Sequence, residues 1–273
     1  MRNSIVDSLN NLTGIHIFQF IVPDYITLFA FSVILVTHIV FRKGKNEDIP
    51  ERIILNCLIV VYLSSLLGAR VLYVITNMGI FLPDPFEIFR IWHGGMVFYG
   101  GLAGGFLGCF IYLTIKKENV WKFADCIAPP LALGISITRV GCFLNGCCFG
   151  KISNVIWAVQ YPIYSRVYLE HLSAGHISSD SLRSLSVHPV QLYESVYALF
   201  LSLVLFKVQG IKYFDGQVAL LFFFFYCIGR FLLEFFRGDG TRGIYIGLST
   251  SQWISFLILF FAVNIFIKNR VQG

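Results

Sequence analysis

The chain has 273 residues, of which 56% are hydrophobic and 13% are charged, and its formal net charge is +6. Soluble domains carry about 25% charged residues, so this composition excludes an ordinary soluble protein and predicts an all-α integral membrane protein. The basic residues fall in short loops between apolar runs, which makes them signals of membrane topology and argues against a nucleic-acid surface. We therefore expect a lipid bilayer as a partner, and no nucleic acid.

Seven apolar runs are long enough to be transmembrane helices, each of which needs about 20 residues. They lie near 25–41, 53–77, 96–115, 127–147, 190–207, 216–236 and 249–267. Pro129 and Pro130 interrupt the start of the fourth run, which makes it the least regular of the seven. The first twenty residues lack the pattern of a signal peptide, so we expect no cleaved leader. The sequence thus predicts a single polytopic membrane domain over 1–273 with about seven transmembrane helices.

The charges of the connections predict the orientation of these helices. The first, third and fifth connections and the C-terminus are short and basic, and all four fall on one side of a seven-span arrangement. Because short basic loops stay in the cytoplasm, the N-terminus is predicted outside and the C-terminus inside. The longest connection, about 150–188, then forms a small external cap between spans 4 and 5.

Ionisable residues inside the apolar runs are candidates for a functional site. An arginine at the centre of a span costs roughly 2.5–3.5 kcal/mol, so it persists only with a partner or a role. The chain has four such residues: Arg70, Arg139, Arg230 and Glu234. Arg230 and Glu234 are four residues apart and can pair on one helix. Arg139, Arg230 and Arg237 lie toward the predicted external ends of their spans, where guanidinium groups suit bidentate binding of a lipid phosphate.

A glycine-rich segment, WHGGMVFYGGLAGGFLG, enters the third span. Small residues at this spacing are typical of close helix packing in lipid, which accounts for the later glycines. Packing does not account for His93, Gly94 and Gly95 at the predicted external interface, where main-chain amides at a helix start favour an anion. Gly100 and Gly101 join them as candidate ligand-binding residues.

The motif HPVQLYES opens the fifth span. Pro189 fits the first turn of a helix, and Gln191, Tyr193 and Glu194 follow it with three polar groups. His188 and Tyr193 alone would fit anchors at the membrane interface. Beside the arginines, these residues predict a polar chamber that opens outward.

The glycine-rich segment and HPVQLYES belong to a series of motifs that follow one another along the chain. The chain carries GARVLYV, GGMVFYGGLAGG, ADCIAPPLALG running into TRVGCFLNG, HPVQLYES, GRFLLEFFRGD and LSTSQWIS. Along nearly its whole length it resembles the prolipoprotein diacylglyceryl transferase family. The resemblance implies a bacterial inner-membrane enzyme, without a cofactor and with its active site toward the outer face. Such an enzyme transfers a diacylglyceryl group from phosphatidylglycerol to the lipobox cysteine in the signal-peptide region of a preprolipoprotein.

The resemblance also assigns roles to particular residues. Arg139 corresponds to the family's signature arginine and Arg230 to its second essential arginine. Tyr25, Asn145 and Glu234 match further positions of functional interest. The arginines would stabilise the phosphate as the C–O bond breaks, and a base would help to form the cysteine thiolate.

The sequence departs from the family pattern in three of its motifs. Tyr99 stands where the family has a histidine proposed to serve in catalysis, and an unperturbed tyrosine titrates near pH 10, which makes it a poor base. Cys142 replaces an asparagine and Cys147 replaces a glutamate, and GDGTRG replaces the usual acidic-proline continuation. His93, at the external mouth, or His188 could supply the missing base, or the arginines alone could help the acceptor thiol to ionise.

These departures leave three functions open. The first is the full lipoprotein reaction with an altered site. The second is a divergent paralogue that uses a phosphatidylglycerol-type lipid with another acceptor. The third is a lipid-binding or transport protein without catalysis on the same scaffold, which the intramembrane charges fit equally well.

The three clustered cysteines of TRVGCFLNGCCFG have several interpretations. A zinc site usually takes four ligands, and Cys142, Cys147 and Cys148 lack a second ligand pair at the usual spacing, although His93 or His188 could complete a set. A Cys142–Cys147 disulfide could pin the turn, and a thiolate close to the arginine is a further alternative. We expect no metal here.

Overall fold

The computed structural model describes residues 25–239 and 243–272. Two compact units can be distinguished: Met1–Val36 with Ile127–Gly273, and Thr37–Cys126. The single domain over 1–273 stays a prediction. The expected absence of a signal peptide concerns residues 1–24, which lie outside the described residues.

Apolar helices make up most of the described chain. In order they are α1 (Tyr25–Asn46), α2 (Glu51–Thr76), α3 (Met78–Phe81), α4 (Phe98–Ile115), α5 (Val120–Asn145), α6 (Arg166–Ser173), α7 (Val190–Gln209), α8 (Gln217–Glu234) and α9 (Thr250–Gln272). Within the described ranges, the helices α1, α2, α5, α7, α8 and α9 are long and apolar enough to cross a membrane, and α4 is apolar but shorter. The all-α membrane class is confirmed. The number of crossings and the orientation stay predictions.

The prolines of α5 do not interrupt it, although the sequence pattern suggested an irregular start. Pro129 and Pro130 lie inside one continuous helix. A proline inside a helix removes a main-chain donor, so the carbonyls four residues before Pro129 and Pro130 lose their helical partners. The neighbouring helix α7 binds other carbonyls of α5 through its hydroxyls. Ser202 of α7 donates to the Pro129 carbonyl at 2.8 Å, and Ser195 donates to the Ser136 carbonyl at 2.9 Å. These hydroxyls fix α7 against α5. The two helices carry five of the predicted site residues: Arg139 and Asn145 on α5, and Gln191, Tyr193 and Glu194 on α7.

The connection 150–188 folds as a small cap beside the ends of α5, α7 and α8. Its interior is a cluster of buried apolar side chains: Phe149, Tyr161, Val167 and Val187. Main-chain hydrogen bonds join it to the helix ends: Gly150 N–H donates to the His188 carbonyl at 3.1 Å and Lys151 N–H to the Phe236 carbonyl at 2.8 Å. The cap therefore ties together the segments that follow α5 and α8 and the one that precedes α7. Its location outside the cell stays a prediction.

A short hairpin and a capped helix complete this unit. Strands β1 (Ile244–Tyr245) and β2 (Leu248–Ser249) pair antiparallel. At the last residue of β2, the Ser249 N–H donates to the Gln252 side chain at 2.9 Å, and the Gln252 N–H donates to the Ser249 hydroxyl at 3.2 Å. This reciprocal pair is a capping box, which satisfies main-chain donors at a helix start. The motif LSTSQWIS thus sets where α9 begins.

In the unit Thr37–Cys126, α2 and α4 pack closely through small residues. A Cβ on Gly100 would overlap the Gly68 carbonyl oxygen, and one on Gly104 would overlap the Ser64 carbonyl oxygen. A Cβ on Gly101 would meet its nearest atoms at ordinary or slightly tight distances, the Ser65 carbonyl oxygen at 3.3 Å and the Ala69 Cβ at 3.5 Å. Helix packing therefore accounts for the glycines of α4, as the spacing predicts, and it includes Gly100.

The α2–α4 contact predicts a difference between two alanine substitutions one turn apart. Gly104→Ala should lower stability by about 1–3 kcal/mol, because the added methyl overlaps main-chain atoms that cannot move away. The matched control Gly101→Ala should lower it far less. Thermal unfolding midpoints of the purified variants in detergent measure both, and equal midpoints would contradict the packing described.

Candidate functional site

The predicted site residues fall into two groups, one in each unit. The unit Thr37–Cys126 holds Arg70, His93, Gly94, Gly95, Tyr99, Gly100 and Gly101. The other unit holds Tyr25, Arg139, Asn145, His188, Gln191, Tyr193, Glu194, Arg230, Glu234 and Arg237. The second group lies mainly near the ends of α5, α7 and α8 that the cap joins.

A buried ion pair links α5 to α7. Arg139 Nη2 lies 3.0 Å from Glu194 Oε1, and the Glu194 side chain is 2% exposed. The Tyr226 hydroxyl of α8 donates to the same oxygen at 3.2 Å. A buried carboxylate needs such partners because its desolvation is costly. The three groups therefore connect three helices around one carboxylate. Sequence analysis identified Arg139 and Glu194 but missed Tyr226, which lies one turn before Arg230 on the same helix face.

A second ion pair lies within α8. Arg230 Nη2 is 2.9 Å from Glu234 Oε2, which confirms the pair expected from the four-residue spacing. The Arg230 Nη1 atom is buried and has no hydrogen-bond partner within the described part of the chain. Buried donors are almost always satisfied, so this nitrogen is a place where a ligand oxygen would be stabilised.

Arg237, just after α8, binds a carboxylate in a bidentate manner. Its Nε and Nη2 donate to Asp239 Oδ1 and Oδ2 at 3.0 and 2.8 Å. Burial raises the pKa of Asp239 above its ordinary value, and the charge of Arg237 opposes that rise. The fork that would suit a phosphate is thus occupied by a carboxylate, which a phosphate would have to replace. Asp239 lies in the segment GDGTRG, and its pairing with Arg237 was not predicted from the sequence.

Gln191 fastens the turn after α5 to the cap. Its Nε2 donates to the Cys147 carbonyl at 2.8 Å and to the Tyr161 hydroxyl at 3.2 Å. Its Oε1 is buried and lacks a hydrogen-bond partner among the described residues. Gln191 therefore positions the cysteine-containing turn and still offers one acceptor.

His188 and Tyr193 form a chain with a residue of the cap. The Trp157 indole N–H donates to the Tyr193 hydroxyl at 2.6 Å, and His188 Nδ1 lies 3.2 Å from the same oxygen. The His188 ring packs edge-on against Phe236 at 5.5 Å between ring centroids. The predicted polar groups at the start of α7 are thus brought together, and Trp157 of WAVQYP joins them.

The three clustered cysteines meet in one turn. The sulfur atoms of Cys142, Cys147 and Cys148 all lie within 4.8 Å of one another. Gly146 and Cys148 adopt positive φ values of 73° and 59°, which reverse the chain after α5. The Asn145 side chain hydrogen-bonds the Cys147 thiol. Hydrogen bonds from Cys142 and then Cys147 lower the pKa of Cys148. The spacing of these thiols along the chain does not predict that all three sulfur atoms converge.

Tyr25 begins α1 beside this turn. A Cβ on Gly141 would lie 3.4 Å from the Tyr25 Cα and from its ring, so the glycine permits close approach. The Tyr25 hydroxyl is within electrostatic range of Arg139 and of the three thiols. The structure therefore brings Tyr25 to the residues with which the family resemblance grouped it.

In the other unit, Arg70 is buried and organises a loop. Its guanidinium donates to main-chain carbonyls, at 2.9 Å to Ile88 and 2.6 Å to Gly94, and further to Glu87, Arg90 and Gly95. Gly94 and Gly95 have φ values of +83° and +80°, which favour glycine. These contacts assign Arg70 to shaping the loop. The expected binding of a ligand by Arg70, Gly94, Gly95, Gly100 and Gly101 stays a prediction.

The same loop carries an exposed charged cluster. His93 Nδ1 lies 2.6 Å from Glu87 Oε1, and Arg90 Nη1 lies 2.9 Å from Glu87 Oε2. The hydrogen bonds from His93 and Arg90 lower the pKa of Glu87. Sequence analysis named His93 but not its carboxylate partner. Tyr99, at the start of α4, is about 41% exposed, and its catalytic role stays a prediction.

Comparison with known proteins identifies the family. Residues 13–268 match the family model described as Prolipoprotein diacylglyceryl transferase. Phosphatidylglycerol–prolipoprotein diacylglyceryl transferase 2 of Clostridium perfringens is 31% identical over 259 residues, which cover 94% of each chain. The phosphatidylglycerol–prolipoprotein diacylglyceryl transferase of Pasteurella multocida is 35% identical over 240 residues, 85% of this chain and 80% of its own. With matches of this extent, the chain belongs to the prolipoprotein diacylglyceryl transferase family.

Proposed function

We propose that this multi-pass protein of the bacterial inner membrane transfers a diacylglyceryl group from phosphatidylglycerol to the acceptor cysteine of a preprolipoprotein, at the outer face of the membrane. Relatives that match most of the chain are named for this reaction. The observation that carries the proposal is the pair of partly buried arginines near the ends of α5 and α8, Arg139 and Arg230, with the unsatisfied Nη1 of Arg230.

The chemistry of the transfer requires cations at the phosphate. The acceptor sulfur attacks a glyceryl carbon, the C–O bond to the phosphate breaks, and the oxygen keeps the electron pair. Negative charge therefore grows on the departing glycerol phosphate. Fixed guanidinium donors stabilise growing charge more than they stabilise the bound lipid, which is the condition for catalysis. Arg139 and Arg230 are the candidates for this role.

The carboxylates would keep these arginines in place between turnovers. Glu194 holds Arg139, and Glu234 holds Arg230, each at about the distance of a normal charged hydrogen bond. A guanidinium has five donors, so it can keep its carboxylate and also bind a phosphate oxygen. In this arrangement Glu194 and Glu234 are positioning residues rather than groups that touch the reacting atoms.

A second candidate function is transfer from the same lipid to another acceptor. The observation that favours it is the altered turn after α5, where Cys142 and Cys147 stand in place of the family's asparagine and glutamate. Consumption of phosphatidylglycerol without modification of a lipobox peptide would select this alternative.

Replacement of Arg139 tests the lipid-phosphate assignment. Arg139→Lys keeps one positive charge but loses the planar fork, and we expect transfer to fall by at least about 100-fold, as for loss of a main oxyanion donor. Release of glycerol phosphate from phosphatidylglycerol, with a lipobox peptide as acceptor in nanodiscs, measures the effect.

Arg166→Lys, an exposed arginine of the cap, is the matched control and should keep normal turnover. Complementation of cells depleted of their own transferase gives an independent readout. Normal transfer by Arg139→Lys in both assays would overturn the assignment.

Tyr226 tests the positioning role of Glu194. Tyr226→Phe removes one hydrogen bond to a charged group, worth about 1.5–3 kcal/mol, and we expect kcat to fall about 10-fold or more with little change in KM. Tyr197→Phe is the control, because that hydroxyl donates to the Phe225 carbonyl at 2.6 Å instead. In a double-mutant cycle, Tyr226→Phe combined with Glu194→Gln should be non-additive. Additive effects would show that the two groups act separately.

A further inference from the structure

The turn that holds the three thiols is built before any ligand arrives. The Cys147 N–H donates to the Cys142 carbonyl at 3.2 Å, and Gln191 donates to the Cys147 carbonyl at 2.8 Å. Gln191 is 1% exposed, so the turn is fixed from inside the protein. The three sulfurs are thus held together by the main chain and not by contacts among themselves alone.

We propose that Cys142, Cys147 and Cys148 bind one zinc ion and that the acceptor thiol of the substrate takes its fourth position. Zn–S bonds are about 2.3 Å long in a tetrahedral site, which places neighbouring sulfurs about 3.8 Å apart. The sulfurs here lie within 4.8 Å of one another, so small side-chain rotations close the site. This inference rests on the proposed function for the identity of the fourth ligand.

Three protein ligands are the number expected of a catalytic zinc site. Structural zinc sites are closed by four protein ligands, whereas catalytic sites keep one position for water or substrate. The spacing argument against zinc concerned the missing second pair, which is a property of structural sites. Among the described residues, only these three form a group with metal-ligand geometry.

Nearby cations suit the charge of such a centre. Three thiolates and one Zn²⁺ carry a net charge of −1, and a fourth thiolate makes it −2. Arg237 and Arg139 both lie within electrostatic range of Cys148. Their guanidinium groups offset the negative charge, which a buried site could not otherwise hold.

A zinc ion at this site would also take over the role of the base that is missing where Tyr99 replaces the family's histidine. A thiol that coordinates a metal is deprotonated outright, so the acceptor needs no strong protein base. On binding, the acceptor S–H gives its proton to solvent. The sulfur then forms the C–S bond as the C–O bond breaks, and the phosphate oxygen takes the electron pair. The oxidation state of zinc does not change.

Cobalt(II) provides a test that does not depend on turnover. Full-length protein in nanodiscs, kept reduced, is titrated with Co²⁺, and sulfur-to-cobalt charge-transfer absorption reports thiolate ligation. We expect one equivalent to bind. Cys142→Ser, Cys147→Ser and Cys148→Ser should each weaken binding by at least about 10-fold. Cys227→Ser, which changes a buried cysteine of α8 outside the cluster, should leave binding unchanged.

The fourth position is tested on the unmodified protein, so misfolded variants cannot confuse the result. A lipobox peptide added without phosphatidylglycerol should change the Co²⁺ spectrum toward four sulfur ligands, and a peptide with serine in place of its cysteine should not. No peptide-dependent change, no thiolate absorption, or a disulfide among the three cysteines in freshly purified protein would each overturn the proposal.

Activity separates this inference from the proposed function. Removal of metal by a chelator should lower transfer at least about 10-fold, and zinc should restore it. Full transfer by metal-free protein would overturn the zinc site and leave the proposed function standing. A peptide-dependent spectral change without any lipid transfer would support the site and overturn the proposed function.

Discussion

The buried carboxylate of Glu194 is the constraint on which the candidate site depends. It accepts from Arg139 of α5 and Tyr226 of α8 while it belongs to α7. Removing one partner of a buried pair leaves an uncompensated charge, and the penalty is commonly 3–5 kcal/mol. Separation of the three helices would therefore carry this free-energy penalty. The same interaction therefore joins the helix ends and orients the Arg139 guanidinium, which the proposed function assigns to the lipid phosphate.

Each arginine of the cluster has a carboxylate partner, which limits the cost of placing cations in a membrane protein. Arg139, Arg230 and Arg237 pair with Glu194, Glu234 and Asp239. The pairs differ in what they leave available: Arg237 uses two donors on Asp239, whereas Arg230 keeps a buried nitrogen without a partner in the described chain. A phosphate would therefore bind the Nη1 atom of Arg230 directly, whereas at Arg237 it would have to compete with the carboxylate of Asp239.

Features set by local sequence could be predicted, and features set by distant contacts could not. Hydropathy identified the apolar helices, and a four-residue spacing identified the pair of Arg230 with Glu234, because both depend on neighbours along one helix. The partner of Arg139 lies on another helix, and no local pattern names it. The continuity of α5 through Pro129 and Pro130 is another feature that the local pattern does not predict. The carbonyl partners of Arg70 likewise lie about 20 residues further along the chain, where no local pattern points to them.

The main-chain hydrogen bonds between the cap and the helix ends determine which residues near the site can be substituted. Gly150, Lys151 and Gly238 join the ends of α5, α7 and α8 through backbone atoms alone. These main-chain bonds therefore keep the helix ends joined whichever side chains the cysteine-containing turn carries. The freedom is paired with a restriction. A Cβ on Gly150 would lie 2.5 Å from the His188 carbonyl oxygen, and one on Gly238 would overlap Gly150, so neither glycine can gain a side chain without a shift of the main chain at this junction.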